Sequence, residues 1–191
     1  MQRPIPFGRN SSHFVHIEDN LVSVLHDMKN LVAAPTKVLW ASCRLNRSKE
    51  KDSPVFAGWV EDIEARTIRL NNGHPYSPAD LRFSDTNRSA LYTKCLSAPV
   101  GKVIHRDWRQ HKAGGKSQRL GENFYGETHR MSAPIKVKGV YAGTLNVAFL
   151  GAPDAAREKC EAKLISWAQG TNSPLVKYIQ ENLDFSGPKP S

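Results

Sequence analysis

Hydrophobic and polar positions alternate most regularly between Met131 and Gly151. From Val140 to Leu150, Val140, Ala142, Thr144, Asn146 and Ala148 fall on one parity, and Tyr141, Gly143, Leu145, Val147 and Phe149 on the other. Period-two alternation over this length predicts a half-buried strand, and a shorter run, Ser132 to Val137, precedes it. Lys138-Gly139 between the two runs predicts a tight hairpin turn. This hairpin is the expected centre of the fold.

Upstream the period changes. Phe14, Ile17, Leu21, Val24, Leu25, Met28, Leu31 and Val32 recur at three- and four-residue spacing, which predicts a helix from Ser12 to Ala33 ended by Pro35. Lys37 to Asn46, Val55 to Glu61 and Ala65 to Asn71 predict three strands joined by polar turns, and an antiparallel meander is their natural pairing. Ser77-Pro78 starts a short helical turn, and a second helix is expected to point Ala90, Leu91, Cys95 and Leu96 inward before Pro99. Val100 to Asp107 predicts another strand, with Val100 and Ile104 facing inward. No clean period runs from Trp108 to Arg130, so a long loop is expected there.

Two helices close the pattern. The first runs from Pro153-Asp154 to Gln169 with Ala156, Cys160, Leu164, Trp167 and Ala168 on its inner face. The second starts at Ser173-Pro174 and buries Leu175, Val176, Ile179 and Leu183. The order of elements describes one α+β domain over residues 13–185, with 1–12 a flexible lead and 186–191 a disordered tail.

Composition narrows the class. At 191 residues the chain is long enough for one proper core. No apolar run reaches bilayer-spanning length, and residues 1–12 lack the apolar centre of a signal peptide, so a cytoplasmic protein without membrane contact is expected. Cys43, Cys95 and Cys160 are far apart and form no CxxC pair, so each is expected to be a small buried side chain rather than a disulfide or zinc ligand. The net charge of +9 permits a phosphate-bearing or acidic partner.

Much of that charge lies between Lys102 and Arg130, where arginines, lysines and three histidines (His105, His111, His129) are interleaved with Trp108, Phe124 and Tyr125. Such a mixture suits an anionic planar ligand, single-stranded nucleic acid, or merely a solvated loop, and all three readings stay open. His105 and Asp107 share one face of the expected strand and Arg106 takes the other, with no positioned nucleophile. Gly114-Gly115-Lys116-Ser117 lacks the first glycine of a phosphate loop, and no strand leads into it. No catalytic residue and no metal site is expected, and the cofactor stays unknown.

Pro134, Ile135, Gly139 and Gly143-Thr144-Leu145 in the hairpin carry a resemblance, together with Ala98-Pro99-Val100-Gly101-Lys102-Val103-Ile104 and Asp107 beyond it. Over roughly Leu21 to Leu183 the chain resembles the GAF family of small-molecule sensor domains. The resemblance implies a GAF-like antiparallel sheet of five or six strands with helices packed on its faces. It also implies a ligand cavity on one sheet face, under residues 77–97 and 108–130. The chain departs from the cyclic-nucleotide-binding members, whose Asn-Lys-Phe-Asp-Glu signature is met only by Phe149 and Asp154. It departs from bilin-binding members too, since residues 105–130 hold no cysteine.

The expected function is therefore a non-catalytic sensory or regulatory domain that binds a small anionic ligand or a protein partner. It would signal through its terminal helices, as a homodimer joined through residues 14–32 and 156–183. The expected ligand-binding residues are Trp59, Arg106, Trp108, Arg109, Tyr125 and Arg130, with Arg106 and Arg109 holding the anionic group and aromatic side chains lining the rest. The alternatives are a basic nucleic-acid-binding module and a thiol-dependent methionine sulfoxide reductase of GAF type.

Overall fold

The computed structural model describes residues 5–7, 12–46, 56–71, 94–107, 127–183, 185 and 187–190. Its strands are β1 (Ile5–Phe7), β2 (Lys37–Leu45), β3 (Phe56–Glu61), β4 (Ile104–Asp107), β5 (His129–Val137) and β6 (Val140–Leu150). They form one six-stranded sheet in the order β1-β3-β2-β6-β5-β4. Every pairing in it is antiparallel. The α-helices are α1 (Ser12–Leu31), α2 (Ile63–Asn71), α3 (Arg157–Gln169) and α4 (Pro174–Asn182). The architecture is the expected α+β sheet with helices packed against it.

The hairpin forms where alternation placed it, with β5 beginning three residues earlier than expected, at His129. Lys138 (φ 48°) and Gly139 (φ 77°) both occupy the left-handed region, which makes the two-residue turn whose twist matches its flanking strands. Both β5 and β6 are buried along nearly their whole length. The half-buried strand expected from alternation is thus covered on its second face as well.

One face of the sheet carries the main core. Ile17, Leu21, Val24, Leu25 and Met28 of α1 are fully buried there, beside Ala41, Cys43, Val60, Val147 and Phe149 from the sheet. Cys160, Leu164 and Ala168 of α3 and Leu175, Val176 and Ile179 of α4 complete it. Trp167 donates its indole N–H to Asp27 Oδ2 at 2.9 Å, tying α3 to α1. Most described residues of the apolar stripes that suggested a dimer interface are therefore buried, or partly buried, within the chain itself. Ser173 caps α4 by accepting from the Val176 N–H at 3.3 Å, with Pro174 in the first turn, as the sequence pattern requires.

Two expectations are corrected. Residues 65–71 were expected as a third strand, and they belong to α2 instead. The cause is Asp62: its Oδ1 accepts the Glu64 N–H at 3.0 Å and its carbonyl accepts from Arg66 N at 3.0 Å, so the chain turns into a helix as soon as β3 ends. Val100, expected to face inward, is half-exposed in the turn before β4, and Val103 is the buried residue. Gly101, at φ 78°, makes that turn.

Two further features lie at the chain's ends. β1, within the expected lead, pairs with β3 from Trp59 to Glu61. Near the other end, the carbonyl of Pro188 accepts the Tyr141 N–H at 2.8 Å, and Phe185 packs against the main core. No helix among the described residues is long and apolar enough to cross a membrane.

Candidate functional site

The opposite face of the sheet has a different chemistry, and strand register defines it. Directly opposed residues in antiparallel strands point to the same side. One rung runs Glu61, Trp40, Ala148, Arg130, Arg106 across β3, β2, β6, β5 and β4. The next runs Trp59, Ser42, Asn146, Ser132, Ile104 across the same strands. Arg44 and Thr144 continue the pattern. A bulge between Val38 and Trp40 lets Leu39 join Trp40, and both pack with Ala65 of α2. The helix that replaced the expected strand thus covers one end of this face.

Polar side chains here are buried. Ser42, Glu61, Glu127, Ser132, Thr144 and Asn146 are all under a tenth exposed. Burying polar groups is costly unless they are hydrogen-bonded, so a polar layer across a central sheet face calls for a cause other than stability. Asn146 Nδ2 donates to Ser42 Oγ at 3.2 Å and to Thr144 Oγ1 at 3.3 Å. Arg130 forms an ion pair with the fully buried Glu127. Among the described residues, the Ser132 hydroxyl and the second carboxylate oxygen of Glu127 are buried without a hydrogen-bond partner.

Aromatic rings border the polar layer. Trp40 and Trp59 stack with centroids 4.2 Å apart and planes at 27°. The Arg130 guanidinium lies 4.8 Å from the Trp40 ring centroid, reaching it over the small Ala148. Small side chains at Ser42, Ala148 and Ser132 therefore form a floor between tryptophans on one side and arginines on the other. An anionic group would meet guanidinium forks, and an attached ring would meet indole faces.

Of the expected ligand-binding residues, Trp59, Arg106 and Arg130 lie on this one face. Trp108, Arg109 and Tyr125 lie outside the described residues, as do residues 77–93 and 108–126 that were expected to cover it. Sequence reasoning missed Trp40, Ser42, Arg44, Glu61, Glu127, Ser132, Thr144 and Asn146. The missed signal was the polarity of one parity in each central strand: Ser42 and Arg44 in β2, Thr144 and Asn146 in β6.

The three thiols are buried and shifted away from the thiolate form. Cys43, Cys95 and Cys160 are all buried and unbonded to one another. Burial pushes the Cys95 thiol up to about 12 and, with the Glu161 charge beside it, the Cys160 thiol up to about 11. Burial also raises Cys43. Reactive cysteines need the reverse shift. Among the described residues, no group of three or more histidine, cysteine or acidic side chains could hold a metal ion.

No protein-family model matches the chain, and no curated protein matches it either.

Proposed function

We propose that this chain is a non-catalytic, GAF-like regulatory domain that binds a small anionic ligand bearing a planar ring. The ligand sits on the Trp40–Arg130 face of the sheet, and the bound state passes to a partner through the terminal helices. The observation that carries the reading is the buried polar layer itself: Ser42, Ser132, Thr144 and Asn146 occupy positions that a sheet built only for stability fills with aliphatic side chains, and the buried Glu127 is paired with Arg130 beside them. Each unpartnered buried group costs about 1–3 kcal/mol, a burden that a bound ligand offsets by hydrogen-bonding to it. The stacked tryptophans and paired arginines supply the apolar and anionic halves of the recognition.

Native mass spectrometry of the freshly purified full chain is the direct test, with a co-purified small molecule released on unfolding as the expected result. Its rebinding should change tryptophan fluorescence, because Trp40 and Trp59 border the site. Arg106→Gln should weaken it at least about tenfold, equivalent to 1.4 kcal/mol. A chain that carries no small molecule, and whose fluorescence ignores a panel of aromatic carboxylates and phosphates, would overturn the reading. The competing basic nucleic-acid module rests on the net charge of +9. Retention on random oligonucleotides at low salt, lost steeply as salt rises, would favour that module instead.

A further inference from the structure

Four titratable side chains form a chain across α3, β4 and β5. His105 Nε2 stands 2.9 Å from Glu161 Oε1 on α3. His105 Nδ1 stands 3.1 Å from His129 Nε2. His129 Nδ1 stands 3.8 Å from Asp107 Oδ2. The sequence suggested that His105 and Asp107 could interact along one strand, and the structure inserts His129 of β5 between them. His129 is almost wholly buried, with its ring edge against Phe149 at 6.2 Å between centroids.

Hydrogen-bond chemistry assigns the protons. An ionised Glu161 only accepts, so His105 carries its proton on Nε2. Neutral His105 then has a bare Nδ1, which accepts from the Nε2–H of His129. In neutral His129 the bare nitrogen is Nδ1, which faces Asp107. A first added proton enters there, beside a carboxylate, and leaves the bond between the imidazoles intact. A second added proton must enter at His105 Nδ1, where it meets an N–H at hydrogen-bond distance. That bond is then lost and two imidazolium cations are in contact.

We propose that His105 and His129 form a proton-operated latch on β4, closed with no or one added proton and opened by the second. The surroundings of His105 set the direction of its response. Burial is the largest influence and depresses its basicity below the ordinary value of 6.5; Arg157 of α3 and Lys102 act the same way, while Glu161 opposes them. A histidine less basic folded than unfolded supports the fold above that ordinary value and loses its support as pH falls below it.

The latch lies back to back with the proposed site. On β4, Arg106 alternates with His105 and Asp107; on β5, Arg130 follows His129. Among the described residues β4 is the sheet's edge strand, so its release takes Arg106 away from Arg130. Acid release of a ligand at that face rests on the reading above; the latch itself does not.

Imidazole NMR on the isotopically labelled full chain, titrated from about pH 8 to about pH 4, tests it without any ligand. The expected result is two separated protonation steps for the pair, with His129 in the Nε2–H form at high pH. Hydrogen exchange at the amides of residues 104–107 should accelerate at the second step only. His105→Gln, at the more exposed member of the pair, should abolish that acid-triggered acceleration. A single step shared by both imidazoles at ordinary values, or exchange at 104–107 indifferent to both steps, would overturn the latch. Either outcome leaves the ligand reading to its own test.

Discussion

Arg106 and Arg130 stand directly opposite each other on β4 and β5, two like charges on one rung of the sheet. Like charges so placed are destabilising, and Glu127, buried and paired with Arg130, places a counter-charge beside them. A pair of this kind is strongly coupled, because removing one partner leaves the other charge buried. Glu127→Gln should lower unfolding free energy by about 2 kcal/mol. A double-mutant cycle with Arg130→Gln, read by urea denaturation, should give a coupling of about 1–3 kcal/mol. Additive single-mutant effects would show that the pair contributes nothing to the fold.

Two glycines should fail for different reasons when replaced by alanine. At Gly143 an added Cβ would collide with the backbone carbonyl of Arg44, where β2 and β6 lie close. At Gly101 nothing lies within 4 Å, but φ is 78°. Gly143→Ala should therefore force the strands apart, at about 1–3 kcal/mol. Gly101→Ala should cost about 1 kcal/mol from backbone strain alone, and Gly101→Asn, which tolerates that region, should recover part of it. Thermal unfolding of the three variants separates the two causes.

The sequence was most informative where one physical cause acted alone. The stripe of α1 and the caps of α4 follow from periodicity and hydrogen-bond chemistry within a few residues, and both formed as expected. α2 was misread because alternating residues from Ala65 to Asn71 fit a strand, while the decisive cause was the side chain of Asp62 before them. The site was legible only in part. Trp59, Arg106 and Arg130 were chosen one by one for their chemistry, and what unites them is register across five strands. Register depends on bulges at Leu39 and near Lys136 that no local pattern announces. Asn146 falls on the polar parity of the expected half-buried strand, and burial of that parity follows only from the cover on the sheet's second face.

Thiol chemistry gives a third measurable consequence of the fold. With all three cysteines buried and their thiols shifted upward, the native chain should resist aromatic disulfide reagents at neutral pH. All three should react at once on unfolding in denaturant. Rapid modification of any one thiol in the native chain, or methionine sulfoxide turnover lost on its replacement, would favour the reductase alternative.

Glu18 gives the fold a pH dependence opposite in sign to that of the histidine latch. It lies on α1, 6% exposed, with one carboxylate oxygen buried without a partner among the described residues. Burial, with the charge of Asp19 adding to it, pushes the carboxyl up to about 7 from an ordinary 4.5, against the opposing hydrogen bond from the Trp59 backbone. A carboxyl less acidic folded than unfolded favours the fold while it is protonated. Its contribution is complete below 4.5 and is lost as pH rises through about 7. The change should be on the order of 2 kcal/mol. Glu18→Gln, which keeps the shape and stays neutral, should flatten this part of the profile and leave the variant more stable than the natural chain at about pH 8. Urea denaturation at intervals between about pH 5 and about pH 8 checks it. If both chains lose stability in parallel across that interval, Glu18 is not the group responsible. If the natural chain alone loses it, α1 carries a carboxyl that meets the Trp59 backbone, and proton binding there is linked to the strand that bears one of the two stacked rings.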